Sequence, residues 1–228
     1  MSPWLKDVIR RHGEDDGYTL VEAIIVMMLS ALLMTVAVTF FTTVSMQTMH
    51  AVGTRQSTAD ASNIMNVVST SIRAAVRNPT AASPNPDPAI VAGTRTSITV
   101  ITYTDAGPSF ELPQRLRYSV DSAGRMTEEA WRATEVGGYA VFPALTAAPA
   151  SKRVLGNVVV NTAAEPLFRY FDANGNQLGV GGTLNATERA AVTSVRFFVK
   201  VRSDTSKEVV VLDNTVGMPN MDLGLTED

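Results

Sequence analysis

The N-terminal part of the chain contains one uninterrupted apolar run. Residues 23–41 are 19 consecutive positions without a charge. As a helix, this run is about 28 Å long, which is close to the roughly 30 Å hydrocarbon core of a bilayer. The run exceeds the apolar core of a secretory signal peptide, which has about 7 to 15 residues, and no clean small-x-small cleavage site follows it. We therefore expect a retained transmembrane helix at about residues 20–41.

The helical period continues beyond this run. Apolar residues recur at helical spacing and form one stripe: Ile64, Val67, Val68, Ile72 and Ala75. Pro79 disfavours a helical conformation at Asn78, so the pattern should end there. The sequence predicts a single long helix over residues 18–78, with its second half packed against a core.

Further along the chain, the period changes from helical to alternating. Residues 79–96 are rich in proline and predict a loop. Strands are then predicted at 96–104, at 114–120 with 125–133, around the turn Asn174-Gly175, and at 194–203 with 208–213. We expect an α+β fold, in which residues 97–228 form an antiparallel sheet with one face on the outer half of the helix. A fragment from about Val67 onward is expected to be soluble and rich in β-structure.

Composition narrows the function classes. The 228 residues carry a net charge of −3, and the chain from Thr80 onward has 13 basic and 16 acidic residues. This charge balance does not indicate a nucleic-acid binder. The chain has no Cys and two His, His12 and His50. Disulfides and thiolate sites are therefore excluded, a His-based site is not expected, and we expect no metal, no cofactor and no enzymatic activity.

The basic residues predict the orientation in the membrane. Lys6, Arg10 and Arg11 precede the apolar run, and the next basic residue is Arg55. By the positive-inside rule, the N-terminus lies in the cytoplasm and the chain after Phe41 lies outside.

Glu22 interrupts the beginning of the apolar segment. A carboxylate at membrane depth costs on the order of 2.5–3.5 kcal/mol, and less near the interface. One interpretation is that Glu22 lies at the headgroup boundary. The other is that a cut between Gly17 and Tyr18 creates an α-amine four residues earlier, on the same helix face, that pairs with the carboxylate.

These residues carry a family resemblance. The stretch GYTLVEAIIVMMLSALL resembles the prepilin signature of type IV pilins and type II secretion pseudopilins, which has a Gly, an aromatic residue or Met, T-L-x-E, and an apolar helix. The resemblance implies a leader peptide of residues 1–17, cleavage by a prepilin peptidase between Gly17 and Tyr18, and N-methylation of Tyr18. It further implies that Leu20 and Glu22 serve filament assembly. Tyr18 stands where Phe is usual, and the leader is longer than in many relatives.

The remainder of the chain extends the resemblance more loosely. The segments RLRYSVDSAGRMTEEAW, PLFRYFDANG and VTSVRFFVKVRS resemble the heads of J-type minor pseudopilins and minor pilins. This implies the type IV pilin fold and a structural subunit that helps initiate or cap a type IV pilus, a competence pseudopilus or a type II secretion-like pseudopilus. A major pilin remains an alternative within this class.

The resemblance also implies partners and a location. The implied partners are other pilins, the prepilin peptidase, the membrane and, indirectly, a platform protein and an assembly ATPase, since this chain has no P-loop. The implied location is the cytoplasmic membrane, with a single span and an outer head, and then the filament. The alternative from another class is a single-pass signal-anchored protein whose outer domain binds a ligand or is an enzyme.

Two patterns in the head resemble known chemistry. DANGN at 172–176 begins like a calcium loop, but its Gly is at the fourth position and no Glu follows at the twelfth, so a β-turn is expected. Glu128 with Glu129, and Glu111 with Glu135, could be read as carboxylate pairs. Adjacent strand residues face opposite ways, so Glu128 and Glu129 cannot share a site, and a solvated face is expected.

Overall fold

A computed structural model describes residues 19–103, 112–156, 159–202 and 209–220. The chain divides into two compact units, Met1–Met49 and His50–Asp228. Helix α1 covers Leu20–Arg73, so residues up to Met49 belong to the first unit and the remainder to the second. In the described part of the chain, all other secondary structure belongs to the second unit.

The described strands and the second helix follow in chain order: β1 (Asn78–Thr80), β2 (Ser83–Asp87), β3 (Ile90–Gly93), β4 (Ser97–Thr102), β5 (Gln114–Val120), β6 (Met126–Arg132), β7 (Thr134–Val136), β8 (Tyr139–Val141), β9 (Ser151–Gly156), β10 (Phe168–Phe171), β11 (Gln177–Leu178), α2 (Ala186–Ala191), β12 (Ser194–Arg202) and β13 (Val209–Gly217). The fold is therefore α+β, as predicted.

The strands form two main sheets rather than the single sheet that the sequence suggested. A five-stranded sheet has the order β3-β4-β5-β6-β9, and a four-stranded sheet has the order β11-β10-β12-β13. Two further ribbons pair β1 with β2 and β7 with β8. All named strand pairs are antiparallel, as predicted.

The core of the second unit lies between α1 and both main sheets. The predicted stripe faces this core: Ile64, Val68, Ile72 and Ala75 are fully buried, and Val67 packs against them. Residues from both sheets belong to the same cluster, among them Val100, Leu116, Tyr118, Phe197 and Val199. Burial of this stripe explains why the helix continues into the second unit, since helical stability in proteins comes mainly from packing.

The predicted end of the helix and the predicted proline-rich loop are both wrong. Helix α1 ends at Arg73, because the next residues pair with β4: the Val76 N–H donates to the Ile101 carbonyl at 2.9 Å. The stretch 79–96 contains most of β1 and all of β2 and β3. Its prolines are compatible with β-structure because β1 and β2 form a two-stranded ribbon, in which one side of each strand needs no donor.

The predicted hairpins are confirmed. Strand β5 pairs with β6 in the register Leu116↔Ala130, and β12 pairs with β13 in the register Val199↔Leu212. The last strand extends to Gly217, four residues beyond the predicted end. Strands β10 and β11 form the hairpin predicted around Asn174-Gly175.

Strand β13 is an edge strand of the four-stranded sheet. The N–H groups of Phe198 and Lys200 point away from β13, since they donate to Leu167 and Asn161. The backbone N–H and C=O groups of even-numbered β12 residues therefore point toward β10. Those of odd-numbered β12 residues point toward β13, where they bond to its even-numbered residues. It follows that Val209, Val211, Asp213 and Thr215 direct their backbone N–H and C=O groups outward, where none has a hydrogen bond among the described residues.

Candidate functional site

Thr19 caps the start of α1. The Glu22 N–H donates to Thr19 Oγ1 at 3.3 Å, and the Ala23 N–H donates to the Thr19 carbonyl at 3.1 Å. A Thr three positions before a Glu is the sequence pattern of a capping box, and a carboxylate in the first turn is favoured by the helix dipole. Our sequence analysis considered the membrane depth of Glu22 and missed this local role, although T-L-V-E could have revealed it.

The structure describes two of the four predicted processing and assembly residues. Leu20 and Glu22 both lie in the first turn of α1, and Leu20 is 77% exposed. Within the described part of the chain, the Glu22 carboxylate has no hydrogen bond or ion pair. Gly17 and Tyr18 lie outside the described residues, so the proposed cleavage site and the partner amine stay predictions.

The first unit presents an exposed apolar helix surface. Large hydrophobic side chains of the segment 20–49 are between 42% and 77% exposed. The helix is long and apolar enough to cross a membrane, judged by length and composition. The Thr35 and Thr39 hydroxyls donate to the carbonyls four residues earlier at 2.8 Å, which satisfies them within the helix. Such a surface suits lipid tails or apolar neighbours, and Glu22 is its one charge.

The described residues of the second unit do not bring candidate metal ligands together. Among the described residues, no group of three His, Cys, Asp or Glu side chains could hold a metal ion. Glu111 lies outside the described residues, so its suggested pairing with Glu135 is not tested.

The two adjacent glutamates of β6 face opposite ways, as expected, but they are not simply solvated. The Glu129 carboxylate forms ion pairs with Lys152 Nζ at 2.8 Å and with Arg117 Nη1 at 3.5 Å. Glu128 is 8% exposed, so the expectation of a solvated face is wrong for this residue. Its partners come from distant parts of the chain, which local sequence patterns do not show.

Glu128 belongs to a polar cluster of four residues, together with Ser71, Tyr118 and Arg153. Arg153 binds the carboxylate through two hydrogen bonds, Nε to Oε1 at 2.7 Å and Nη2 to Oε2 at 2.9 Å. The Tyr118 hydroxyl donates to Glu128 Oε2 at 2.8 Å and lies 2.7 Å from Ser71 Oγ. Because the phenol proton goes to Glu128, the Ser71 hydroxyl is the donor to Tyr118. The cluster thus connects α1, β5, β6 and β9 in one line.

The electrostatics of this cluster indicate a structural role. Burial, followed by the nearby charge of Glu128, raises the pKa of Tyr118 above its ordinary value, while the Ser71 hydrogen bond acts against this. The hydrogen bond to Glu128 raises the pKa of Arg153. Tyr118 therefore stays neutral and Arg153 stays charged near pH 7. Both carboxylate oxygens of Glu128, the Tyr118 phenol and the Ser71 hydroxyl have protein hydrogen-bond partners within the cluster.

Two of the cavities among the described residues are lined in part by the five-stranded sheet. A groove of about 570 Å³ runs beside the polar cluster, and Glu128 and Arg153 contribute to its lining. A second cavity of about 330 Å³ contains Arg115, whose Nη1 donates to the Pro143 carbonyl at 2.7 Å and whose guanidinium lies 4.5 Å from the centre of the Phe142 ring. Burial lowers the pKa of Arg115. In the first cavity, the Ser71 hydroxyl and the Glu128 carboxylate are both hydrogen-bonded to the Tyr118 phenol.

The DANGN segment is a turn, as predicted. The Asp172 carboxylate accepts hydrogen bonds from the backbone N–H groups of Asn174 and Asn176 and from the Asn176 side chain, at 2.8–3.0 Å. The hydrogen bonds from Asn176 hold the pKa of Asp172 below its usual value. Gly175 has a φ of 80°, a conformation that glycine adopts readily. The Asp172 carboxylate is hydrogen-bonded within its own turn, and this arrangement does not resemble a set of calcium ligands.

No protein-family model matches the sequence, and no curated protein matches it at a significant level.

Proposed function

We propose that this chain is a minor pilin or pseudopilin with the type IV pilin fold, which acts as a structural subunit and not as an enzyme. The observation that carries the proposal is the position of Glu22. It is the one charge at the start of an exposed apolar helix, without a partner among the described residues, four positions after Tyr18. A cut after Gly17 would supply the missing cation.

The described architecture supports the proposal. A helix with an exposed apolar first part is expected for a subunit that first resides in a membrane and then packs against similar helices. The second unit packs one face of the same helix against antiparallel sheets, which fits a head carried outside the membrane. The adjacent glutamates of β6 are both engaged in structural ion pairs, which fits a structural subunit better than an enzyme.

The proposed partners are other pilin subunits, the prepilin peptidase and an assembly machine with its own ATPase. The filament could be a type IV pilus, a competence pseudopilus or a secretion pseudopilus. The second candidate, a signal-anchored protein with a ligand-binding domain, is favoured by the groove of about 570 Å³ beside Glu128. The two candidates differ in whether the chain is cut after Gly17.

The test is mass spectrometry of the chain from its native cell or after co-expression with a prepilin peptidase. The expected product begins at Tyr18 and carries one methyl group on its α-amine. The variant Gly17→Val should block the cut but not membrane insertion, because the peptidase requires a residue without a bulky side chain there. Recovery of the intact chain, starting at Met1, from assembled filaments would contradict the proposal and favour the signal-anchored protein.

A further inference from the structure

The outer face of the four-stranded sheet carries interleaved basic and aromatic side chains. The strand alternation places one set of β10 and β12 residues on this face, opposite the buried set. We define the outer face by these residues: Arg169, Phe171, Arg196, Phe198, Lys200 and Arg202. Sequence composition does not reveal this surface, because acidic residues elsewhere balance the total charge.

Two arginines on this face lie directly opposite each other. Arg169 of β10 and Arg196 of β12 are cross-strand partners, an arrangement that is normally destabilising because the charges are alike. Asp213 binds Arg196, with Nε at 2.9 Å from Oδ1 and a second contact through Nη2. Arg169 has no hydrogen bond or ion pair with any described residue. The Asp213 carboxylate also interacts electrostatically with Arg169, so one acid faces two guanidinium groups.

A cleft opens at this pair of arginines. It encloses about 200 Å³ and is lined by Glu165, Pro166, Arg169, Arg196 and Phe198. The walls thus combine two guanidinium groups with an aromatic ring, a proline and one carboxylate, that of Glu165, which is paired with Lys200. This combination suits a ligand with both a flat apolar part and an anionic part, as in a nucleotide unit.

The charge of the outer face is positive, although the chain as a whole carries −3. The face has four cations, and two acids are paired with them: Asp213 with Arg196, and Glu165 with Lys200 at 2.5 Å. Arg169 and Arg202 have no ion pair among the described residues, and Arg169 interacts electrostatically with Asp213, so the described part of the face has two more cations than acids.

The spacing of these side chains is regular. Outward residues of β12 follow every second position, about 6.6–6.8 Å apart, in the order Arg196, Phe198, Lys200 and Arg202. The Lys200 ammonium lies 5.6 Å from the centre of the Phe198 ring. Phe171 lies at the other end of the row, on the far side of the Arg169–Arg196 pair. Aromatic platforms with cations between them are the arrangement by which open sheets bind unpaired bases and their phosphates.

We propose that the outer face of the four-stranded sheet binds a single nucleic-acid strand, with bases stacked on Phe198 and Phe171 and phosphates at the arginines. An intact duplex fits less well, because its bases are not available for stacking and a flat sheet face does not enter a groove. The proposal does not depend on processing after Gly17, so either can fail without the other.

The test measures fluorescence anisotropy of a labelled 12-nucleotide oligothymidylate titrated with the full-length chain in neutral detergent. Binding is expected at 20 mM salt and should weaken as salt rises. With about three phosphates contacted, log K should fall with log salt with a slope of about −2. A duplex of the same length should bind at least about fivefold more weakly.

Two variants separate binding from folding. Phe198→Leu removes a stacking platform and should weaken binding about tenfold or more. Arg169→Gln should weaken binding about threefold to tenfold and leave the thermal midpoint unchanged or higher, because it removes a like-charge pair. The matched control is Arg132→Gln, which removes an exposed arginine of β6 in the other sheet and should not change the affinity.

The proposal is overturned if no oligothymidylate binds at 20 mM salt with protein at 100 μM. It is also overturned if Arg132→Gln weakens binding as much as Arg169→Gln does. Equal binding of the duplex would show a general polyanion surface instead. Tighter binding to anionic lipid vesicles than to the oligonucleotide would assign the face to a membrane surface. If Phe198→Leu does not fold, Arg169→Gln still decides the question.

Discussion

Tyr118 and Glu128 are cross-strand partners on β5 and β6, and the phenol donates a hydrogen bond to the carboxylate at 2.8 Å. The same phenol oxygen accepts a hydrogen bond from the Ser71 hydroxyl of α1 at 2.7 Å. Burying a carboxylate costs free energy unless it is ion-paired and hydrogen-bonded. Here Arg153 supplies the ion pair and Tyr118 supplies a further hydrogen bond. One phenol therefore links the helix to two neighbouring strands of the five-stranded sheet.

The first prediction concerns this phenol. Tyr118→Phe should lower the free energy of unfolding by about 2 kcal/mol, because a hydrogen bond to a charged group is lost and a buried hydroxyl loses its acceptor. For a domain of this size, this corresponds to a drop in the thermal midpoint of about 4–8 °C. Circular dichroism melting of the full-length chain in detergent measures it. Tyr139→Phe, at a partly exposed tyrosine, serves as the control, and an equal drop there would contradict the assignment.

The second prediction concerns alkaline pH. Burial raises the pKa of both Tyr118 and Tyr170 above the ordinary value of about 10. Below pH 10 both tyrosines are neutral in the folded and unfolded states, so their contribution to stability is fully present. Above pH 10 the unfolded chain loses the protons first, so stability falls by about 1.4 kcal/mol per pH unit for each tyrosine. The contribution is lost completely only as pH rises through the folded-state pKa values.

Urea unfolding between pH 8 and pH 11.5 measures the predicted loss of stability above pH 10. The decline above pH 10 should become shallower in Tyr170→Phe, because that variant has one buried phenol fewer. Tyr139→Phe should retain the steep decline. A wild-type protein whose urea midpoint is constant across this range would show that the two phenols do not govern alkaline unfolding.

The third prediction concerns Glu22, and it rests on the proposed function. Glu22→Gln should leave cleavage after Gly17 largely intact but reduce co-assembly, measured as loss of the subunit from sheared filaments or of its crosslinks to partner subunits. Gln is a matched replacement for the helix start, because Gln also occurs at this position of a capping box and the Thr19 cap is kept. Glu22→Asp should rescue assembly partly, since the charge is retained on a shorter side chain.

A further variant separates the charge from the helix cap. Thr19→Ala removes the hydroxyl that accepts from the Glu22 N–H but keeps the carboxylate. If Glu22→Gln co-assembles as well as wild type, with unchanged crosslinks, then pairing with the Tyr18 amine is wrong. Glu22 would then lie at the headgroup boundary, with Thr19 as its only specific contact in the described chain.

The fourth prediction revises where a soluble fragment should begin. Ala61 and Ile64 are fully buried in the core, so a fragment that starts near Val67 lacks two core side chains. Removing one such side chain costs about 2–5 kcal/mol for isoleucine. A fragment starting at His50, where the second unit begins, should fold and be soluble and rich in β-structure by circular dichroism. The Val67 fragment should melt at a clearly lower temperature or fail to fold, and equal stability of the two would contradict this core assignment.

The elements that sequence analysis predicted well are those with a strong local pattern. The alternation of Val195, Phe197, Val199 and Val201 fixes the register of β12, because a shift by one residue would expose all four. The apolar stripe of α1 was predicted for the same reason, since helical spacing places its members on one face.

The elements that were missed depend on distant partners. The proline-rich segment forms strands because it lies in a two-stranded ribbon, and nothing local indicates the pairing of Asn78 with Asp87. Glu128 was expected to be solvated because its partner Arg153 lies 25 residues away and Ser71 lies on the helix. The basic outer face was missed for a related reason, since pairing Arg169 with Arg196 requires the sheet register.

Strand β13 has a consequence for how the isolated protein behaves at high concentration. Its outward backbone groups at Val209, Val211, Asp213 and Thr215 form a template to which an extended segment of another chain can add. The local sequence VVVL has high β-propensity and no proline or charge, the composition typical of amyloid-forming segments. The isolated protein therefore carries an aggregation hazard at this edge. A gatekeeper glutamate at Val211 would blunt this edge and would lie opposite Lys200, its cross-strand partner, so that the new charge is complemented.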